Sequence, residues 1–166
     1  MEPRLVECVP NFSEGKDPQI IKQITRPIRE SSTVTLLDID MGSDFNRTVV
    51  TMVGDLDSIA KASFSCIKRA SELINMKNHK GTHPRLGAVD VCPFIPISGV
   101  NMEDCIILSK TVGEKVGEEL KIPVYLYENS STIPYRKKLS DIRSGEYEGL
   151  SKKILEKEWK PDYGPS

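Results

Sequence analysis

The chain has 166 residues, 38% hydrophobic and 28% charged, with a net charge of −1 and both signs interspersed. That length fits one domain able to bury roughly two-thirds of its unfolded surface, so a core can form without disulfide or metal staples. There is no apolar run of the roughly twenty residues that cross a bilayer and no basic field that would neutralise nucleic-acid phosphates, so neither a membrane nor a nucleic acid is an expected partner.

Residues 1–8 lack the basic segment and long apolar stretch of a signal peptide, which makes the cytoplasm the expected compartment. Residues 5–9 read as a short strand stopped by a turn at Pro10-Asn11. Asp17 before Pro18 is an N-cap with proline at the first helical position, and Ile20, Ile21, Ile24 and Ile28 then fall on one helical face. Residues 34–40 and 48–53 are β-branched runs around the turn-rich Met41-Gly42-Ser43-Asp44-Phe45-Asn46, which predicts an antiparallel pair. From 57 to 75 the apolar positions keep a helical period. Residues 77–85 have none, contain Gly81 and Pro84, and lead as a polar loop into a strand over 88–95. Asn101 with Asp104 is a capping box that opens a helix through Leu120, and residues 124–127 supply another strand. Residues 129–166 are polar and read as an irregular tail with at most a short helix near 152–159. This order predicts an α+β fold: a ferredoxin-like split βαβ with an added helix and strand, its helices layered on one face of a mixed, mostly antiparallel sheet. The other sheet face is left free, and such a face needs a partner or a ligand.

The only two histidines, His79 and His83, lie within five residues of one another, flanked by Lys80 and Arg85. An imidazole exchanges protons near neutrality, and adjacent cations favour its neutral, basic form. Equally, loop histidines are often surface or capping residues. Their i, i+4 spacing would suit zinc only on a helix, which Gly81 and Pro84 oppose, and no further ligand motif completes a set, so no metal is expected. Cys8, Cys66, Cys92 and Cys105 are widely separated without a Cys-x-x-Cys pair; they read as reduced thiols, and Cys8 and Cys92 as packing residues rather than nucleophiles. Asp38 and Asp40 alternate with apolar neighbours, so both face one side of the sheet, either capping a turn or orienting a histidine. Asn11, Asn46 and Arg47 occupy loop positions where ligand contacts gather.

Taken together, Leu5-Val6-Glu7-Cys8-Val9-Pro10-Asn11-Phe12, Leu36-Leu37-Asp38-Ile39-Asp40, Asn46-Arg47-Thr48-Val49, His79-Lys80-Gly81-Thr82-His83-Pro84-Arg85, Asp90-Val91-Cys92-Pro93, Val124-Tyr125-Leu126-Tyr127, Gly145-Glu146-Tyr147-Glu148 and the Trp159-Lys160-Pro161-Asp162-Tyr163-Gly164-Pro165 ending resemble the N-terminal subdomain of formiminotransferase. The resemblance spans residues 1–166 as one such subdomain. It implies transfer of a formimino group from N-formiminoglutamate to N5 of tetrahydrofolate, which enters as co-substrate without a metal, in a homodimer whose two subdomains enclose a charged cleft. Carried onto this chain, the family's general base falls on His83 and its active-site aspartate on Asp40. Asn11, Asn46, Arg47, Lys80 and Arg85 are then expected substrate contacts. The folate-binding segment begins near Gly164, adding Gly164, Pro165 and Ser166. The family's second subdomain forms the opposite wall of the folate cleft. Three readings stay open on the sequence: a transferase half that works with a C-terminal subdomain, a half-length folate binder, and a protein-association domain without independent catalysis.

Overall fold

In the computed structural model, which describes residues 3–166, the first apolar run does not end at Pro10. β1 (Leu5–Cys8) and β2 (Asn11–Phe12) are halves of one extended segment lying along β4 (Arg47–Gly54), with Cys8 opposite Met52 and Asn11 opposite Val49. Between them the Val50 N–H donates to the Pro10 carbonyl at 3.1 Å. The expected turn is therefore a kink: proline removes only an N–H, and its neighbour uses the carbonyl. The strand expected over 88–95 is divided in the same way at Pro93 into β5 (Val89–Val91) and β6 (Phe94–Ser98), which pair with β2 and β1. The Val9 N–H reaches the Pro93 carbonyl at 3.3 Å, so the two kinks lie side by side.

β3 (Val34–Gly42) pairs with the other edge of β4, so β4 lies between β1 and β3, the two strands that the first helices connect. That is the split βαβ order, and the ladders are antiparallel. α1 (Pro18–Ile24), α2 (Arg26–Arg29), α3 (Leu56–Leu73) and α4 (Met102–Leu120) form the helical layer. Asp17 caps α1 by accepting from the Gln19 and Ile20 amides, and the axis breaks at Thr25 because Pro27 cannot continue the amide ladder. Asp55 caps α3, and Asn101 with Asp104 forms the reciprocal box of α4. Val6, Cys8, Phe12, Val50 and Met52 from the sheet meet Ile21, Ile24, Ile28, Ile59, Cys66 and Ala70 from the helices, each 2% exposed or less. Leu37, Ile95 and Ile97 stay exposed.

Two further expectations are corrected. Residues 124–127 do not extend the sheet: Val124 forms an isolated bridge with Tyr163, and the Asp162 carboxylate accepts the Leu126 N–H at 2.8 Å. The donors of this segment are met by the chain's end instead of by a neighbouring strand. Nor is the tail irregular, since it contains α5 (Leu139–Arg143) and α6 (Glu146–Lys153). Buried cations organise it. Lys153 Nζ donates to the carbonyls of Asp141, Ile142 and Ser144 at 2.8–3.0 Å, closing the C-terminal end of α5. Arg136 donates to the Glu158 and Lys160 carbonyls at 2.6 and 2.7 Å while its guanidinium lies 5.4 Å from the Tyr125 ring. Order built on cation-to-carbonyl bonds leaves no apolar period in the sequence.

Candidate active site

Three loops meet at the end of the sheet where β2 passes the β3–β4 turn. Asn46 adopts a left-handed backbone (φ 48°), which asparagine tolerates better than most residues, and is nearly buried. Its Oδ1 accepts the Gly15 N–H at 2.9 Å, and its Nδ2 donates to the Lys80 carbonyl at 3.0 Å. Its own carbonyl accepts from His79 Nε2 at 2.9 Å. Gly81 lies flat on the same turn, where a Cβ would stand 2.3 Å from the Phe45 carbonyl oxygen, so only glycine permits the approach. The loop over residues 79–85 is thereby laid along the turn one residue at a time.

Arg47, the next residue along, donates from Nη1 to His83 Nε2 at 2.5 Å. An arginine can only donate, so Nε2 carries no proton and His83 is the neutral imidazole with its proton on Nδ1. Burial, then Arg47 and Arg143, hold its pKa below the ordinary 6.5, against upward pulls from Asp90 and a hydrogen bond to the Pro84 backbone. Asp90 and Arg143 are an ion pair in which the Asp90 side chain is 2% exposed; its other oxygen accepts the Leu86 N–H at 2.9 Å. The neighbourhood of His83 thus contains two arginines and a single buried carboxylate.

Asp40 lies on the uncovered sheet face. A bulge between Leu36 and Asp38 resets the alternation, sending Ile39 and Met41 inward with Leu36 and turning Asp38 and Asp40 outward together. Asp40 opposes Val49 and Gly42 opposes Arg47, which makes Asp40 and Arg47 diagonal neighbours, about 7–8 Å apart by sheet geometry. Asn11, also opposite Val49, shares that face. Lys80 is exposed at the loop's edge.

The remaining expected contacts lie elsewhere or are already engaged. Arg85 is buried, and its guanidinium is held by Glu146 at 2.6 Å and Glu148 at 2.7 Å, so it is not a free cation for a substrate carboxylate. The Asn46 amide is likewise occupied by Gly15 and Lys80. Gly164 packs on Gly117 of α4 and on Ile122, at the helical layer. Among the described residues no three His, Cys, Asp or Glu are grouped as metal ligands, and no helix is long and apolar enough to cross a membrane.

The family model for the formiminotransferase domain, N-terminal subdomain, matches residues 5–166. The chain belongs to that family. It is 53% identical over 163 residues to a formimidoyltransferase-cyclodeaminase of Dictyostelium discoideum, covering 98% of this chain and 30% of that protein. It is 47% identical to a glutamate formimidoyltransferase of Streptococcus pyogenes serotype M1 and 48% identical to one of Thermoplasma acidophilum, covering 97% and 98% of this chain and 54% of each relative. The subdomain therefore spans about half the length, or less, of these curated relatives. The names of these relatives share formimidoyl transfer.

Asp90, Arg143, Glu146 and Glu148 surround the loop without being among the expected site residues. Asp90 had one available signal, a lone carboxylate inside the apolar run Ala88-Val89-Asp90-Val91-Cys92, where a charge is retained only if paired. Arg143 lies in the tail with no local pattern to mark it, whereas the two glutamates belong to the Gly145-Glu146-Tyr147-Glu148 motif, which by itself names no partner for them.

Proposed function

We propose that this chain is the histidine-bearing half of a transferase that moves a formimino group from N-formiminoglutamate to N5 of tetrahydrofolate, with His83 as the general base. The observation that carries this reading is the 2.5 Å contact from Arg47 Nη1 to His83 Nε2 at the edge of the uncovered sheet face, which requires Nε2 to be the accepting, unprotonated nitrogen. N5 attacks the formimidoyl carbon, the C–N bond to glutamate breaks, the glutamate nitrogen takes up a proton, and the proton leaving N5 passes to Nε2. In the free chain that lone pair faces Arg47. When Arg47 turns to a substrate carboxylate, as bidentate guanidinium recognition favours, Nε2 is freed for the proton. Asp40, on the same face, steadies the cationic amidine; Lys80 adds positive charge for the glutamate carboxylates, and Asn11 adds an amide.

Tetrahydrofolate is a co-substrate in this scheme, and the wall opposite His83 comes from a C-terminal subdomain or from a second copy of the chain. The test is formimino transfer by the chain mixed with the C-terminal half of a glutamate formimidoyltransferase, with and without His83→Ala. Transfer that falls by about 10²–10⁴ in kcat on His83→Ala supports the base assignment. Transfer unaffected by the substitution overturns that assignment, and no tetrahydrofolate binding in any combination overturns the folate reading.

A further inference from the structure

The loop that carries His83 is closed on itself and clamped from outside. Its first and last residues are joined by a hydrogen bond from Arg85 Nε to His79 Nδ1 at 3.0 Å. That bond requires His79 to keep its proton on Nε2, the nitrogen that donates to the Asn46 carbonyl at 2.9 Å. On its outer side the Arg85 guanidinium is shared by Glu146 at 2.6 Å and by Glu148 at 2.7 and 2.9 Å. The Tyr147 N–H between them donates to the Arg85 carbonyl at 2.9 Å. Carboxylates, guanidinium, imidazole and carbonyl thus form one continuous chain of hydrogen bonds. It runs from the tail to Asn46, whose neighbour Arg47 holds His83.

The segment that supplies the carboxylates has an unusual backbone. Gly145 (φ 86°) and Glu146 (φ 52°) are consecutive left-handed residues, and Glu146 has a Cβ that disfavours that conformation. From that conformation its half-exposed carboxylate meets Arg85 at 2.6 Å. Glu148 is drawn to a pKa of about 2, first by its hydrogen bond from Arg85, so it stays ionised throughout the neutral range. The side chain of His83 is paired with Arg47, and the charges acting on it are those of Arg47, Arg143 and Asp90, so Glu146, Glu148, Arg85 and His79 reach it through the loop.

We propose that Glu146 and Glu148, acting through Arg85 and His79, are positioning residues that hold the His83 loop against the β3–β4 turn and so make the placement of His83 depend on residues 145–148. His79 is then a tautomer-fixed link in this chain, not a second base. Arg85 pairs with carboxylates of the protein's own tail, and a lysine cannot replace it, because only the planar guanidinium serves both glutamates and His79 at once. The functional part of this inference rests on the reading of His83 as base; the linkage itself does not.

The experiment uses the chain as it stands, without substrate. Glu148→Gln is the first variant because its side chain is 66% exposed and the fold does not depend on burying it. Arg85→Lys is the second. Amide exchange over residues 79–83 and the ring 15N shifts and titration of His83 are compared with the parent, with Val50 and Met52 amides as the fold reference. The relay predicts exchange in the loop at least about tenfold faster, His83 ring shifts and titration moved toward those of a free imidazole, and sheet amides unchanged. Both variants leaving the loop amides and the His83 ring as in the parent overturns it, as does loop exchange that rises only in step with the sheet amides. Failure of folate binding or transfer bears on the proposed function and leaves these readouts intact.

Discussion

At the scale of single residues, the protein's chemistry depends on which groups are left free by internal pairing. Arg47 and Arg85 have the same side chain and lie near the same loop, but Arg85 is occupied by Glu146 and Glu148, whereas Arg47 has the replaceable acceptor His83 Nε2. His83 itself links stability to pH. Its folded pKa is lowered from 6.5, chiefly by burial and then by Arg47 and Arg143, so in the window below 6.5 the unfolded chain holds more protons than the folded one. Stability contributed by His83 is therefore complete above 6.5 and is lost as pH falls through that window. Urea midpoints measured across this range for the parent and His83→Gln should converge at low pH, separate as pH rises through the window below 6.5 and stay apart above it; parallel curves would contradict the assignment. For the proposed base role, the same lowered pKa predicts activity extending to pH values below those of a free imidazole, which the acid limb of a kcat/KM profile reads directly.

Among the elements, the β3–β4 turn and the loop over 79–85 behave as one unit. Most of that unit was readable in advance: the turn residues, the absence of periodicity after α3, and Gly81 and Pro84 as breakers all mark loops. What could not be read is that the loops touch, with Gly81 pressed on Phe45 and Asn46 bridging Gly15 and Lys80. Gly81→Ala tests the contact. Its Cβ would meet the Phe45 carbonyl oxygen at 2.3 Å, so loop and turn must separate. A stability loss of about 1–3 kcal/mol in denaturant titration is expected. A larger proportional loss of transfer activity should accompany it, because His83 moves with the loop; a variant that loses neither would show the loop to be free of the turn. The bulge in β3 is a similar case. Strict alternation from Val34 and Leu36 would bury Asp38 and Asp40, and one extra residue at Leu37 resolves the conflict between Leu36 inside and Ile39 and Met41 inside.

For the whole molecule, one helical layer covers one face of an antiparallel sheet, and the tail from residue 128 is bound back by cations. Arg136→Ala removes donors to the Glu158 and Lys160 carbonyls and the packing against Tyr125, and should cost about 2–3 kcal/mol with faster proteolysis over residues 157–164. Arg136→Lys should recover only part of this, since an ammonium lacks the planar fork. Unchanged proteolysis would mean that the tail is held by Tyr163 and Gly164 against α4 instead. The sequence by itself determined the order of helices and strands up to α4, the caps at Asp17 and Asn101, the loop bearing both histidines and the family, because each depends on neighbours a few residues apart or on motif identity. Tertiary structure alone decided that Arg85 faces its own tail, that Arg143 meets Asp90 fifty-three residues away, and that residues 124–127 bridge Tyr163 instead of joining the sheet. Polar pairing of this kind is set by which charges folding desolvates together, and that depends on packing in three dimensions, which no periodicity along the chain encodes.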